Sequence, residues 1–253
     1  MDFVKIRVRH LNMAVNIATL PGADAAWAER PHVTVILAMS ADGKIADAWR
    51  SPARFGSTQD KSHLEAQIAQ ADGVLFGAGT LRAYGSTLRV THPHLLQQRQ
   101  QQGKPPQPVH IVCSQSTQFD PNYAFFRQPV PRWLLTTAAQ DDRLQMPFER
   151  VITVDGGAAG LNWVDALRQL QQLGLERLAV TGGGEVVASL LAIGGIDEMW
   201  LTVCPLLLGG KDAPTPVGGI GVLEEMATRL ELLGVEAIAQ EVFLHYRILI
   251  PKK

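Results

Sequence analysis

Two short glycine-rich segments each follow an apolar run, and both could hold a phosphate group. Gly77–Thr80 (GAGT) follows Val74–Phe76, and Gly182–Gly184 follows Arg177–Thr181. Short apolar runs of this kind suit buried strands. Glycine lets the backbone approach a ligand closely, and a helix that starts after the turn points its N–H groups at an anion. The pair predicts a nucleotide site, although tight helix–strand packing explains either turn alone and neither is the G-x-G-x-x-G dinucleotide fingerprint.

Charged residues also follow the first apolar run. Val33–Met39 (VTVILAM) ends at a turn that contains Asp42, Gly43 and Lys44. Ligands of parallel α/β sheets bind beyond the carboxyl ends of the strands, so this turn should share an edge with both glycine turns. Asp42 and Lys44 could bind a polar ring or a sugar phosphate there, and the alternative is an ordinary turn with a solvated lysine. Thr80 either donates its hydroxyl to a phosphate or caps its helix.

Two acidic residues are expected in the first turns of helices. Glu185 begins the helix after Gly184, and Asp60 follows Ser57 and Thr58, either of which can act as the N-cap. Helix N-termini stabilise negative charge, so a structural role is the first interpretation of Glu185 and a catalytic role the second.

Strands and helices alternate through most of the chain. Helical spacing with an Asn162 cap predicts a helix over Asn162–Leu173, and two late apolar runs, Thr228–Leu233 and Glu241–Ile250, predict antiparallel strands. His92–Pro108 is predicted to be an exposed connection with a possible helical turn over Pro93–Gln102. The class is therefore α/β, with a mostly parallel central sheet, an antiparallel C-terminal edge and flanking helices.

Composition excludes several classes of function. The net charge of −1 gives no field that would favour nucleic acid. No apolar run approaches the ~18 residues of a membrane span, and the N-terminus lacks the apolar core of a signal peptide. Cys113 and Cys204 are the only two cysteines, and we expect them to be buried thiols of a cytoplasmic protein. His63-Leu64-Glu65 matches half of a zinc-deaminase signature, but the P-C-x-x-C half is missing, so we expect no metal site.

Four ordered motifs closely resemble the reductase domain of bacterial riboflavin-biosynthesis enzymes. They are PHVTVILAMSADGKIA (Pro31–Ala46), STQD (Ser57–Asp60), ADGVLFGAGT (Ala71–Thr80) and the segment from Thr181 to Gly210. The resemblance runs from about Pro31 to Ile250. It implies a dihydrofolate reductase-like fold, with residues 1–30 as an N-terminal arm and 31–253 as a single reductase domain.

The resemblance also implies an activity. Such a reductase uses NADPH to reduce the ribosyl group of 5-amino-6-(5-phosphoribosylamino)uracil, or of a related pyrimidine or pterin compound, in riboflavin biosynthesis. It implies a cytoplasmic homodimer whose subunits pair through the C-terminal part of the sheet. The catalytic candidates are Asp42, Lys44 and Glu185. The candidate cofactor contacts are Ser57, Asp60, Gly77, Ala78, Gly79, Thr80, Ser114, Gly182, Gly183, Gly184, Glu185 and Val186, with Ser114 at the adenosine 2′-phosphate end.

The chain departs from this family on the substrate side. The family's D-D-P-R-L-T-V-R segment, which grips the ribose phosphate, corresponds here to Tyr84–Val90 (YGSTLRV), so both aspartates and the first arginine are gone. Ile68 replaces an arginine, and Thr181 replaces a glutamate before the glycines. Arg82, Arg89 and Lys44 could supply the missing charge. The departures leave two alternatives open: a non-catalytic NADPH-binding sensor or assembly protein, and a dihydrofolate-type reductase.

Overall fold

A nine-stranded sheet organises the protein. The computed structural model describes residues 29–137, 147–157 and 160–249, so most of the predicted N-terminal arm lies outside the described residues. The strands are β1 (His32–Ser40), β2 (Gly73–Gly77), β3 (Val109–Cys113), β4 (Arg132–Thr136), β5 (Arg150–Thr153), β6 (Gly156–Gly157), β7 (Gly160–Leu161), β8 (Arg177–Gly182), β9 (Glu198–Cys204), β10 (Arg229–Ile238) and β11 (Glu241–Leu249). The helices are α1 (Thr58–Gln70), α2 (Ala78–Tyr84), α3 (Pro93–Gln101), α4 (Trp163–Gln172) and α5 (Gly184–Ala192).

The sheet order is β10-β11-β9-β1-β8-β2-β3-β4-β5, and β6 and β7 form a separate small hairpin. Every neighbouring pair from β9 to β5 is parallel, whereas β11 runs antiparallel to both β9 and β10. The predicted fold class is therefore confirmed, including its antiparallel C-terminal edge. β10 is longer than the predicted strand and carries a register shift between Leu232 and Gly234.

Helices cover both faces of the sheet. α1, α2 and α3 pack on one face, around Ile36, Val74 and Phe76, and α4 and α5 pack on the other, around Val35 and Val180. The central strands are near-continuously apolar because both of their faces are buried.

The segment predicted as an exposed connection contains α3, which realises the possible helical turn. Its Arg99 is only 1% exposed, and the guanidinium donates hydrogen bonds to the carbonyl oxygens of Ala69, Ala71 and Pro105. A buried arginine needs such acceptors, so the glutamine-rich stretch is anchored to α1 instead of lying free. Among the described residues, no helix has both the length and the apolarity to cross a membrane.

Candidate active site

The two glycine turns meet at the carboxyl edge of the sheet. β2 and β8 are neighbours, with Phe76 opposite Gly182. A Cβ at Gly182 would lie 2.8 Å from Thr80 Oγ1, and a Cβ at Gly77 would lie 3.2 Å from a methyl group of Val186. Each turn therefore packs closely on the other, and the contact is tightest at Gly182. The prediction that both turns share one edge is confirmed.

The helices that follow these turns begin without side-chain caps. Neither Gly77, before α2, nor Gly183, before α5, supplies a capping side chain. The first N–H groups of a helix have no partner within it and attract anions. Gly79 faces open space, since a Cβ there would have no atom within 4 Å. The arrangement can thus accept a negatively charged group between the two helix starts.

The loop of Thr215–Gly219 packs against the first turn of α5, and Glu185 is one of the residues that it contacts. A Cβ at Gly184 would lie 2.3 Å from the carbonyl oxygen of Thr215, and Gly218 N–H donates to Gly184 O at 2.9 Å. The Glu185 carboxylate accepts a 3.3 Å hydrogen bond from Gly219 N–H. This geometry favours the structural interpretation of Glu185, because the carboxylate holds the loop beside the glycine turn.

Asp42 ties the turn after β1 to the segment after β9. Its carboxylate accepts hydrogen bonds from Ser40 Oγ at 2.6 Å, Leu208 N–H at 3.0 Å and Gly209 N–H at 2.7 Å. The Ser40 hydroxyl, followed by the two backbone N–H groups, lowers the pKa of Asp42 to about 2. Three donors occupy this carboxylate, so it positions the Asp42–Lys44 turn as a fixed anion and is no proton donor.

The side chain of Lys44, unlike that of Asp42, has no hydrogen-bond or ion-pair partner among the described residues. Its backbone N–H donates to Ser40 Oγ at 2.9 Å and its carbonyl oxygen accepts from Ser40 N–H at 2.8 Å. Among residues 29–137, 147–157 and 160–249, nothing forms an ion pair or hydrogen bond with its ammonium group. The turn thus holds the Lys44 backbone and leaves a cation for a ligand at the sheet edge.

Ser57 and Asp60 lie on the β9 and β11 side of β1, away from the glycine turns after β8 and β2. Ser57 caps α1, its hydroxyl accepting from Gln59 N–H and Asp60 N–H. The same hydroxyl donates to Glu241, whose carboxylate also accepts from Ser57 N–H at 2.8 Å. The structure therefore brings Ser57 and Asp60 together with β11 and not with Gly77–Thr80.

Glu241 and Thr202 are members of this group that sequence reasoning missed. Both are almost fully buried, at 4% and 2% exposure. The Thr202 side chain lies near enough to Asp60 to lower the pKa of its carboxyl group, and the Cys204 thiol lies 3.6 Å from Glu241 Oε1. A charged residue at the start of the apolar run EVFLHYRILI was the only sequence signal for Glu241. Cys113 and Cys204 are buried free thiols, as predicted.

Ser114 follows β3, directly beside the turn after β2, because Gly77 pairs with Cys113. Ser114 N–H donates to Leu135 O at 3.0 Å, and its hydroxyl accepts from Ser116 N–H at 3.2 Å. The hydroxyl hydrogen is still available as a donor. The ends of β8, β2 and β3 therefore present Gly182–Gly184, Gly77–Thr80 and Ser114 in spatial succession.

A cleft of about 160 Å³ opens at the other end of the sheet. Thr34, Arg177 and Glu198 line it at the amino ends of their strands, together with Trp200, whose ring stacks on His245 at 4.0 Å. Ligands of parallel sheets bind at the carboxyl ends. We therefore place the candidate active site at the glycine turns and not in this cleft.

Known proteins with similar sequences carry reductase names. A protein of Archaeoglobus fulgidus is 29% identical over 198 residues, 78% of this chain and 90% of its own length. A protein of Methanothermobacter thermautotrophicus is 27% identical over 222 residues, covering 87% and 99%. Both are named 2,5-diamino-6-ribosylamino-4(3H)-pyrimidinone 5′-phosphate reductase.

Solved structures share the fold. A pyrimidine reductase-like protein of Corynebacterium diphtheriae matches with a TM-score of 0.72 at 20% identity, covering 93% of this chain and 97% of its own. A deaminase/5-amino-6-(5-phosphoribosylamino)uracil reductase of Thermotoga maritima matches with a TM-score of 0.69 at 17% identity, covering 88% and 58%. The RibD C-terminal domain model matches residues 31–244. The chain therefore belongs to the RibD C-terminal domain family.

Proposed function

We propose that this protein is an NADPH-dependent reductase of riboflavin biosynthesis that converts the ribosyl group of a ribosylaminopyrimidine 5′-phosphate to a ribityl group. The observation that carries the proposal is the contact between Thr80 and Gly182, which joins two uncapped helix starts at one edge of the sheet. The names of the Archaeoglobus and Methanothermobacter relatives support the substrate class.

The residues at this edge fit a dinucleotide. Two helix N-termini and the open space over Gly79 suit a pyrophosphate, whose charge the first-turn N–H groups would neutralise. NADPH supplies a hydride when bound, and the protein positions and shields the reacting carbon. We assign the cofactor contacts to Gly77, Ala78, Gly79, Thr80, Gly182, Gly183, Gly184 and Val186.

Ser114 is our candidate for the adenosine 2′-phosphate. It follows the strand next to the Gly77–Thr80 turn, and its hydroxyl hydrogen is free to donate. This position favours NADPH over NADH. Glu185 stands beside the cofactor turn, where we propose that it keeps the loop of Thr215–Gly219 closed against α5.

We assign Lys44 to the substrate. Asp42 holds the turn that contains Lys44 in place. The Lys44 ammonium group would pair with the substrate phosphate, which the family's aspartate-rich segment, replaced here by Tyr84–Val90, helps to hold. Tyr84 stands at the start of that altered segment, and its hydroxyl donates to Ala53 O at 2.9 Å. We propose that the substrate phosphate is bound differently from the family's pattern, and that the ribosylaminopyrimidine is either the diaminopyrimidinone or the aminouracil form.

The deciding experiment begins with cofactor binding and then compares the two substrates. NADPH and NADH are titrated against the fluorescence of the five tryptophans. NADPH oxidation is then followed with 2,5-diamino-6-ribosylamino-4(3H)-pyrimidinone 5′-phosphate and with 5-amino-6-(5-phosphoribosylamino)uracil, and the ribityl product is identified by mass spectrometry. We expect NADPH-selective binding and turnover of at least one compound.

Other outcomes of this experiment separate the alternatives. NADPH binding without oxidation of either compound would favour a sensor or assembly protein. Turnover of dihydrofolate, blocked by an antifolate, would indicate a dihydrofolate-type reductase. Absence of binding to both dinucleotides would mean that the glycine turns are only structural.

We further propose that the protein is a cytoplasmic homodimer. The buried free thiols of Cys113 and Cys204 suit a reducing compartment. One face of the β9-β11-β10 edge carries cross-strand apolar rows, such as Leu201 opposite Leu244 opposite Val235. These side chains are only half-buried, and a twofold-related copy of the same face could cover them.

A further inference from the structure

Asp60 is a carboxyl group at the active-site edge to which the cofactor and phosphate assignments give no role. It lies in the first turn of α1, half-buried, and Thr202 of β9 lies near enough to influence the pKa of its carboxyl group. Asp42 has three hydrogen-bond donors on its carboxylate, and Glu241 has two from Ser57. Asp60 is therefore the acidic side chain of this group that is best able to exchange a proton.

The chain fixes Asp60 in place from two further sides. Ser57 Oγ accepts the Asp60 N–H at 3.2 Å, which sets the start of the helix. Asp60 Oδ2 lies so close to Gly56 that a Cβ at that glycine would be 2.2 Å away. Gly56 and Ser57 thus restrict the position of the Asp60 carboxyl group, as a proton donor requires.

The position of Asp60 is also suitable for the reaction. Thr202 pairs with Ala38 on β1, and β1 separates β9 from β8, which ends in the glycine turn. Neighbouring strands are about 4.8 Å apart, so β9 and β8 are separated by roughly 10 Å. A sugar held over the end of β1 would lie between Asp60 on one side and the cofactor turn on the other.

We propose that Asp60 is the proton donor that opens the ribosyl ring of the substrate during the reduction, an inference that rests on the proposed function. The bond between C1′ and the ring oxygen breaks, its electron pair stays on the oxygen, and that oxygen takes the Asp60 proton to become a hydroxyl group. The amine nitrogen forms a double bond to C1′, and NADPH, when bound, would supply the hydride that C1′ accepts. Solvent returns one proton to Asp60, so one NADPH and one proton are consumed per turnover.

The surroundings of Asp60 favour its protonated form. Burial is the main cause of its raised pKa, the charge of Glu241 adds to it, and the Thr202 side chain opposes it. Burial is the main cause of the raised pKa values of the Cys204 thiol and the Tyr84 hydroxyl, and the charge of Asp60 adds to both. A carboxyl group with a raised pKa keeps more of its acid form toward neutral pH, which suits a general acid.

The test compares Asp60→Asn with Asp165→Asn. Asp165 is a matched control because it occupies the same third position of α4, whose cap Asn162 accepts the Asp165 N–H. If Asp60 only stabilises a helix start, both variants should lose stability and keep their turnover. If Asp60 donates the proton, Asp60→Asn alone should lose about 100-fold or more in kcat with an unchanged Kd for NADPH.

Two further measurements complete the test. In wild type, kcat should fall as pH rises through the pKa of Asp60, and Asp60→Asn should lack this decline. ¹³C-carboxyl NMR of the ligand-free protein, assigned with Asp60→Asn, should show Asp60 titrating above the ordinary aspartate value of about 3.9.

Several outcomes would overturn the inference. Full kcat in Asp60→Asn, or titration of Asp60 at or below the ordinary value, would refute the acid role while leaving the proposed function standing. A loss of NADPH affinity in Asp60→Asn would make it a cofactor contact instead. A wild-type protein inactive toward both ribosylaminopyrimidine phosphates would refute the proposed function and, with it, the role of Asp60.

Discussion

Thr80 Oγ1 lies against the α-carbon of Gly182, 2.8 Å from where a Cβ would be. The contact joins the helix start after β2 to the turn after β8, although the two residues are far apart in sequence. It sets the spacing between the two segments that we propose to bind NADPH. Packing against Thr80 alone therefore favours glycine at position 182.

Gly182→Ala should destabilise the protein, because its methyl group would collide with the Thr80 side chain. Overpacking of this kind costs about 1–3 kcal/mol in the free energy of unfolding. Chemical denaturation should detect the loss, and Thr80→Ala in the same chain should restore part of it by removing the hydroxyl and the γ-methyl group. Equal stability of Gly182→Ala and wild type would contradict the contact.

Gly79→Ala should separate a ligand effect from a stability effect. A Cβ at this position meets no atom of the described residues, and alanine in place of a helical glycine stabilises by about 0.4–1 kcal/mol. We expect an unchanged or higher Tm together with weaker NADPH binding, since the methyl group would occupy the space that we assign to the cofactor. Undiminished NADPH affinity would place the dinucleotide elsewhere.

Lys44→Ala should weaken substrate binding more than cofactor binding. The Lys44 ammonium group has no partner among the described residues, and a charge-assisted hydrogen bond to a phosphate contributes about 1.5–3 kcal/mol. Steady-state kinetics should therefore show a KM for the ribosylaminopyrimidine phosphate raised by at least about tenfold. Lys61→Ala is the control, because Lys61 is an exposed lysine on α1, and an equal rise in KM for both variants would argue for a diffuse electrostatic effect.

Asp42→Asn should change the response of the protein to acid. The folded-state pKa of about 2 lies below the ordinary 3.8. This carboxylate therefore stabilises the fold above about pH 4, and the contribution is lost as pH falls toward 2. Thermal unfolding should show a lower Tm for Asp42→Asn at neutral pH and a smaller further fall in acid. Asp120→Asn is the control: Asp120 lies in an exposed turn, and its variant should show the wild-type dependence of Tm on pH. The same dependence in Asp42→Asn would contradict the stabilising role of the Asp42 carboxylate.

Local patterns were sufficient to predict the strand–turn–helix units. Val74–Phe76 with Gly77–Thr80, and Arg177–Thr181 with Gly182–Gly184, each place an apolar run, glycines and a helix within a few residues. Such segments have few alternative secondary structures, because glycine ends the strand and the apolar residues that follow recur at helical spacing. The sheet edge that they share followed from the topology of parallel sheets.

The partners of Asp60 could not be predicted in the same way. The hydrogen bonds between Ser57 and Glu241 join residues 184 positions apart, and Thr202 reads as one more residue of a strand. Arg99 shows the same limit, since the glutamine-rich sequence around it suggested an exposed segment and two of its three acceptors lie 30 and 28 residues away. Burial of a polar side chain depends on tertiary partners, which sequence spacing does not reveal.

Leu244→Glu should dissociate the proposed dimer. Leu244 lies on β11, the middle strand of the half-buried apolar face, between Leu201 on β9 and Val235 on β10. A carboxylate at this position is stable in contact with solvent, but its burial against a second copy would cost free energy because the charge would lose its hydration. Size-exclusion chromatography with light scattering should give a dimer for wild type and a monomer for Leu244→Glu. Val164→Glu is the control, because Val164 is 41% exposed near the start of α4, where a negative charge is favourable. A monomeric wild type would refute the dimer, and a dimeric Leu244→Glu would move its interface to another surface.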